Sequence, residues 1–104
     1  MINTPFNKLD DAEAERLALL AEECGEVVQV IGKILRHGYE SHHPDNPIES
    51  NRHLLHNELG DLKYVVSRMI AEGDLVRSVI EEAAEYKAER VEQYLHHQKP
   101  EALK

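Results

Sequence analysis

The sequence predicts an all-α domain, an antiparallel helical hairpin followed by a third helix. Three observations predict it. Apolar residues recur at steps of three and four through most of the chain, the spacing of a single helix face. No stretch alternates apolar and polar residues as a half-buried strand would. Turn-forming residues concentrate in one internal stretch, where Pro44, Asp45, Asn46 and Pro47 follow one another.

The elements follow in order. Residues 1–10 form an N-terminal segment that ends on Asp10. With Glu13 three residues later, Asp10 makes a capping box opening a helix over 11–37. Leu17, Leu20, Cys24, Val27, Ile31, Ile34 and Leu35 are its apolar positions, and Gly38 is its stop. Gly25 and Gly32 lie inside it, each costing about 1 kcal/mol relative to alanine. Residues 38–50 form the loop. Ser50 or Asn51 caps a second helix over 51–73, with Leu55, Leu59, Leu62, Val66, Met69 and Ile70 as its stripe and Gly73 as its end. Asp74 caps a third over 74–98, which carries Val76, Val79, Ile80, Ala83, Val91 and Leu95; the tail 99–104 contains Pro100. Paired apolar residues, Val27–Val28, Leu54–Leu55 and Val65–Val66, widen the faces of the first two helices beyond one stripe. A homodimer is therefore expected, completing a four-helix-type bundle, with a tetramer as the larger possibility.

Composition narrows the partners. At 104 residues the chain is one domain. Its net charge of −8 argues against a broad basic surface for nucleic acid or anionic membrane, and its 5% aromatic content against stacking on many bases. A lone Cys24 excludes an internal disulfide and fits a reducing compartment. With no leader pattern and no run long enough to span a bilayer, the expected location is cytoplasmic.

Two carboxylate clusters carry the chemistry. Glu22, Glu23 and Glu26 read Glu-Glu-x-x-Glu; Glu58 and Asp61 read Glu-x-x-Asp. Residues three or four apart share a helix face, where like charges cost about 0.2–0.5 kcal/mol per pair. Repeating that cost twice among leucines and valines implies a cation. Oxygen donors alone favour a hard divalent ion such as Mg²⁺. Lys33 lies two turns beyond Glu26, Arg36 closes the same helix, and Lys87 and Arg90 stand one turn apart on the third. These four are the candidate phosphate contacts. Glu81, Glu82, Glu85 and Glu89 read instead as a solvated face, and His42, His43, His96 and His97 as surface residues. No Glu-x-x-His pair falls on a helix, which disfavours a di-iron bundle. Cys24, flanked by carboxylates, is assigned to packing rather than nucleophilic chemistry.

Leu20-Ala21-Glu22-Glu23-Cys24-Gly25-Glu26-Val27, followed by Asn57-Glu58-Leu59-Gly60-Asp61-Leu62, resembles the MazG-type all-α nucleoside triphosphate pyrophosphohydrolases. Lys33-Ile34-Leu35-Arg36-His37-Gly38, the His43-Pro44 turn and Asn51-Arg52 resemble the small phage and mobile-element members. The interval between the clusters is longer than the family's usual spacing, and the surplus sits in the proline-containing loop. The resemblance implies Mg²⁺-dependent hydrolysis of an NTP or dNTP between the α- and β-phosphates, giving a monophosphate and pyrophosphate. It implies Glu23, Glu26, Glu58 and Asp61 as metal ligands, with Mn²⁺ as a substitute ion. Glu22 and Glu23 become the catalytic pair, Glu22 as a further ligand or as the residue orienting the attacking water. The alternative expectation is a non-catalytic helical interaction module whose acidic seam binds a divalent ion.

Overall fold

The computed structural model describes residues 6–98 and is helical, with three α-helices and no strand among the described residues. Helix α1 spans Asp11–His37, α2 Asn51–Ala71 and α3 Arg77–Val91, with a 3-10 turn at Glu92–Tyr94. The tail 99–104 and residues 1–5 of the N-terminal segment lie outside the described residues.

Local chemistry sets the ends of the first two helices. The Asp10 carboxylate accepts the Glu13 N–H at 2.7 Å while the Glu13 carboxylate accepts the Asp10 N–H at 3.0 Å, a complete capping box. Helix α1 stops at Gly38, whose φ of 89° and ψ of 165° suit glycine alone, and whose N–H returns to the Ile34 carbonyl at 2.7 Å. The Ser50 hydroxyl accepts the His53 N–H at 3.1 Å and caps α2. Helix α2 ends at Ala71, two residues before Gly73 takes φ 87°.

Long-range bonds at both ends make α1 and α2 an antiparallel hairpin. At the loop end the Asn51 N–H reaches the Ser41 carbonyl and the Arg52 N–H the Tyr39 carbonyl, both at 2.8 Å. The Asn51 carboxamide donates to the Gly38 carbonyl at 3.1 Å. At the other end the Arg16 guanidinium grips Asp74 with two bonds, Nε to Oδ2 at 2.5 Å and Nη2 to Oδ1 at 2.9 Å. That pair holds the Asp74 carboxyl below the usual carboxylate range. Between these clasps lies a thin core of Val30, Val65 and Met69, joined by the buried Asn51.

Three expectations are corrected. Asp74 does not cap the third helix: its carboxylate is committed to Arg16, and α3 begins at Arg77 behind Val76, which has no side-chain cap. The third helix ends at Val91 rather than 98, because α3 has no buried residue and packs on little beyond its own following turn. Cys24 is exposed, not packed, because the face turned to α2 runs through Leu20, Glu23, Val27, Val30 and Ile34 instead.

Candidate metal centre

The antiparallel pairing brings the two carboxylate clusters together. Glu23 and Glu26 sit one turn apart near the middle of α1, and Glu58 and Asp61 one turn apart on α2. One carboxylate oxygen from each of the four lies within 4.8 Å of the others. Glu23, Glu26 and Glu58 are half-buried and Asp61 is exposed, so the cluster is rooted in the hairpin and open on one side.

Two of these carboxylates lack what burial demands. Glu23 Oε2 and Glu58 Oε2 are buried and have no hydrogen-bond partner. A carboxylate oxygen shielded from water with no donor or cation beside it disfavours the charged form. Two of the acids, Glu58 and Glu23, hold their protons above the ordinary carboxylate range. Hydrogen bonding to Glu26, then desolvation, then the charges of Glu26, Asp61 and Glu23 push the Glu58 carboxyl up to about 7. Desolvation first, and its acidic neighbours after it, raise Glu23 as well. The four-oxygen donor set fits Mg²⁺ or Mn²⁺, which take carboxylates and water, and it offers nothing to a thiophilic metal. The orphaned oxygens are where such an ion would bind.

The other predicted residues divide into three groups. Glu22 is exposed and stands outside the four that converge. Lys33 and Arg36 line a cavity of about 350 Å³ between the end of α1, the loop and the start of α2. Lys87 and Arg90 lie on α3, away from that cavity, and the Arg90 guanidinium covers the Tyr86 ring at 4.7 Å. Sequence reasoning missed Asn51, which reads as a possible cap but is buried as the hinge of the loop, and Arg16, whose partner is 58 residues away. His42 and His43 are exposed, as the sequence reading has them, and both also border the cavity.

No family model, curated protein or solved structure matches this chain.

Proposed function

We propose that the protein is a Mg²⁺-dependent nucleoside triphosphate pyrophosphohydrolase, acting on NTPs or dNTPs as a homodimer. The observation that carries this reading is the convergence of Glu23, Glu26, Glu58 and Asp61 from two helices, two of them with buried, unpartnered oxygens. Exposed acidic clusters are common without a metal; buried orphan oxygens inside one are not. The order of the two acidic motifs, which resembles that of the MazG-type enzymes, supports the same reaction.

Glu23, Glu26, Glu58 and Asp61 would hold Mg²⁺, which would supply neutralisation of the negative charge on the phosphoryl oxygens. The chain does the rest. Its carboxylates project from two paired helices, which would keep them oriented for an ion. A carboxylate oxygen left over, on Glu22 or Glu23, accepts a hydrogen bond from the attacking water and aligns it. Lys33 and Arg36 lie further along α1 and meet the charge of the phosphate chain.

Dimerisation rests on surface left uncovered. The chain exposes 8690 Å², whereas a compact chain of 11.9 kDa exposes about 6,000 Å². Leu17, Val28 and Ile31 are exposed on α1, and Leu59, Leu62, Val66, Ile70 and Ile80 line a cavity of about 300 Å³ between α2 and α3. A second copy laid on these faces completes a four-helix arrangement.

The test is an end-point assay over the common NTPs and dNTPs, with Mg²⁺ and with EDTA. The expected products are monophosphate and equimolar pyrophosphate, lost in EDTA. Glu26→Gln and Asp61→Asn are each expected to lower kcat by at least about 10²-fold while retaining helicity, the scale of removing a main electrostatic contributor. Orthophosphate in place of pyrophosphate refutes the cleavage position. No product from any nucleotide leaves the acidic seam to a non-catalytic interaction module.

A further inference from the structure

Helix α1 carries a second apolar row that the hairpin leaves uncovered. Leu17, Ala21, Cys24, Val28, Ile31 and Leu35 recur at steps of four and three, the spacing of a seam between paired helices. All six are exposed, Val28 by 66% and Leu35 by 82%. None of the six is charged, in a chain with 20 acidic residues and a net charge of −8. Helix α2 has a matching row in Leu55, Leu59, Leu62, Val66 and Ile70, each half-buried or exposed. The buried core of the hairpin, Val30, Val65 and Met69, belongs to neither row.

Both rows lie on one side of the hairpin. At about 100° per residue, the α1 row stands about 100° round from the line of Leu20, Val27, Val30 and Ile34 that is turned to α2. The α2 row stands about 70° round, in the same sense, from the buried Asn51, Val65 and Met69. In antiparallel helices the same sense of rotation leads to the same face. Glu26 and Asp61 stand about 70–90° round in the opposite sense, so the acidic quartet opens on the other face. On the apolar face, Leu59, Leu62, Val66 and Ile70 border the cavity of about 300 Å³ together with Arg77 and Ile80 of α3.

Three observations identify what covers this face. The exposed surface of 8690 Å² exceeds that of a compact chain by more than the roughly 800 Å² per partner that a stable interface takes. The face is also complementary to itself. The middle of α1 is hollow at Ala21, Cys24 and Gly25, and a Cβ added at Gly25 would meet nothing within 4 Å. The middle of α2 is full, at Leu62 and at Leu59, which is 43% exposed. A two-fold rotation sets the ridge of each copy on the hollow of the other. Two chains of net charge −8 also repel least where they meet through uncharged rows.

We infer that the apolar face is the contact surface for a second copy related by a two-fold axis, and that the acidic quartet of each copy opens outward, complete within one chain. The inference rests on the homodimer reading and not on the reaction. It gives α3, which buries none of its residues, a partner across the axis. Assembly and metal binding become separable, because they use opposite faces of the hairpin.

Cys24 is the reporter: it is the only cysteine, it sits in the middle of the α1 row, and it is exposed in the single chain. Where light scattering gives twice the chain mass, its reaction with a disulfide reagent is expected to be at least about tenfold slower than in the unfolded chain, because only dissociated chains react. Dilution is expected to speed it. Val28→Lys is expected to give monomer with a fast-reacting Cys24, yet to bind Mn²⁺ with wild-type affinity and the same number of ions per chain. Glu15→Lys, an exposed change on the acidic side of α1, is expected to leave both dimer and protection intact. Should Val28→Lys unfold, Leu35→Lys replaces it. A dimer whose Cys24 reacts as fast as in the unfolded chain overturns the interface while the homodimer stands; a monomeric wild type overturns both. Mn²⁺ binding present in the wild type but lost in the folded monomeric variant overturns the claim that each quartet is complete within one chain.

Discussion

Glu58 is where the crowding of the acidic cluster is felt most. Its carboxyl, raised from 4.5 to about 7 by the hydrogen bond to Glu26 and by desolvation, holds a proton in the folded chain that the unfolded chain has released. The folded state therefore binds more protons between those values, and stability falls as pH rises from about 4.5 to about 7, then levels. In EDTA, Tm is expected to fall across that interval, and Mg²⁺ to raise Tm more at pH 8 than at pH 5. Glu58→Gln keeps the shape and removes the charge. It is expected to raise Tm at pH 8 in EDTA, by about 4–8 °C for each kcal/mol relieved, and to abolish the Mg²⁺ response. A Tm that climbs steadily from pH 4.5 to 7 in EDTA would show that the acids are not crowded in solution.

Among the elements, the end of α1 depends on backbone conformation rather than contact. A Cβ at Gly38 would meet nothing within 4 Å, yet φ 89° with ψ 165° is a region closed to side chains. Gly38→Ala is expected to lose about 1–3 kcal/mol in urea unfolding, wholly from strain. Gly25 is the contrasting case, helical and with nothing within 4 Å of an added Cβ. Within one chain Gly25→Ala gains up to about 1 kcal/mol from helix propensity. A loss there instead marks Gly25 as the place where a second copy's backbone comes close. These helix ends were legible in the sequence because a cap or a glycine acts through neighbours three or four residues away. Asp10 with Glu13, Gly38 and Ser50 are such cases. Asp74 was not legible: a cap and an ion pair draw on the same carboxylate, and only the fold brings Arg16 to it.

The whole molecule is extended for its length. Its radius of gyration is 17.9 Å, against about 13 Å for a compact chain of this size. Helix α3 buries none of its residues, and Val76 and Val79 remain more than half exposed. An amphipathic helix draws most of its stability from packing, so α3 as seen here lacks the contacts that would hold it. Light scattering is expected to report about twice the chain mass of 11.9 kDa. Val28→Glu/Ile31→Glu is expected to give monomer and to lose helical signal. In a true monomer the same exposed substitutions would change stability by no more than about 0.5 kcal/mol each, and a monomeric wild type would refute the dimer.

By itself, the sequence determined the helical class, the extents of α1 and the loop, and the two acidic motifs from which the four-carboxylate cluster is built. All of these follow from periodicity, capping and charge over a few residues. The quartet Glu23, Glu26, Glu58 and Asp61 was already implied by the resemblance; only the tertiary structure decided that its oxygens meet in space, that Glu22 stands apart, that Cys24 is exposed, and that His42 and His43 border a cavity with Lys33 and Arg36. Those outcomes depend on the register between two helices, set by Arg16 with Asp74 at one end and Asn51 with the loop at the other. Register is a property of contacts made across tens of residues, and no local pattern carries it.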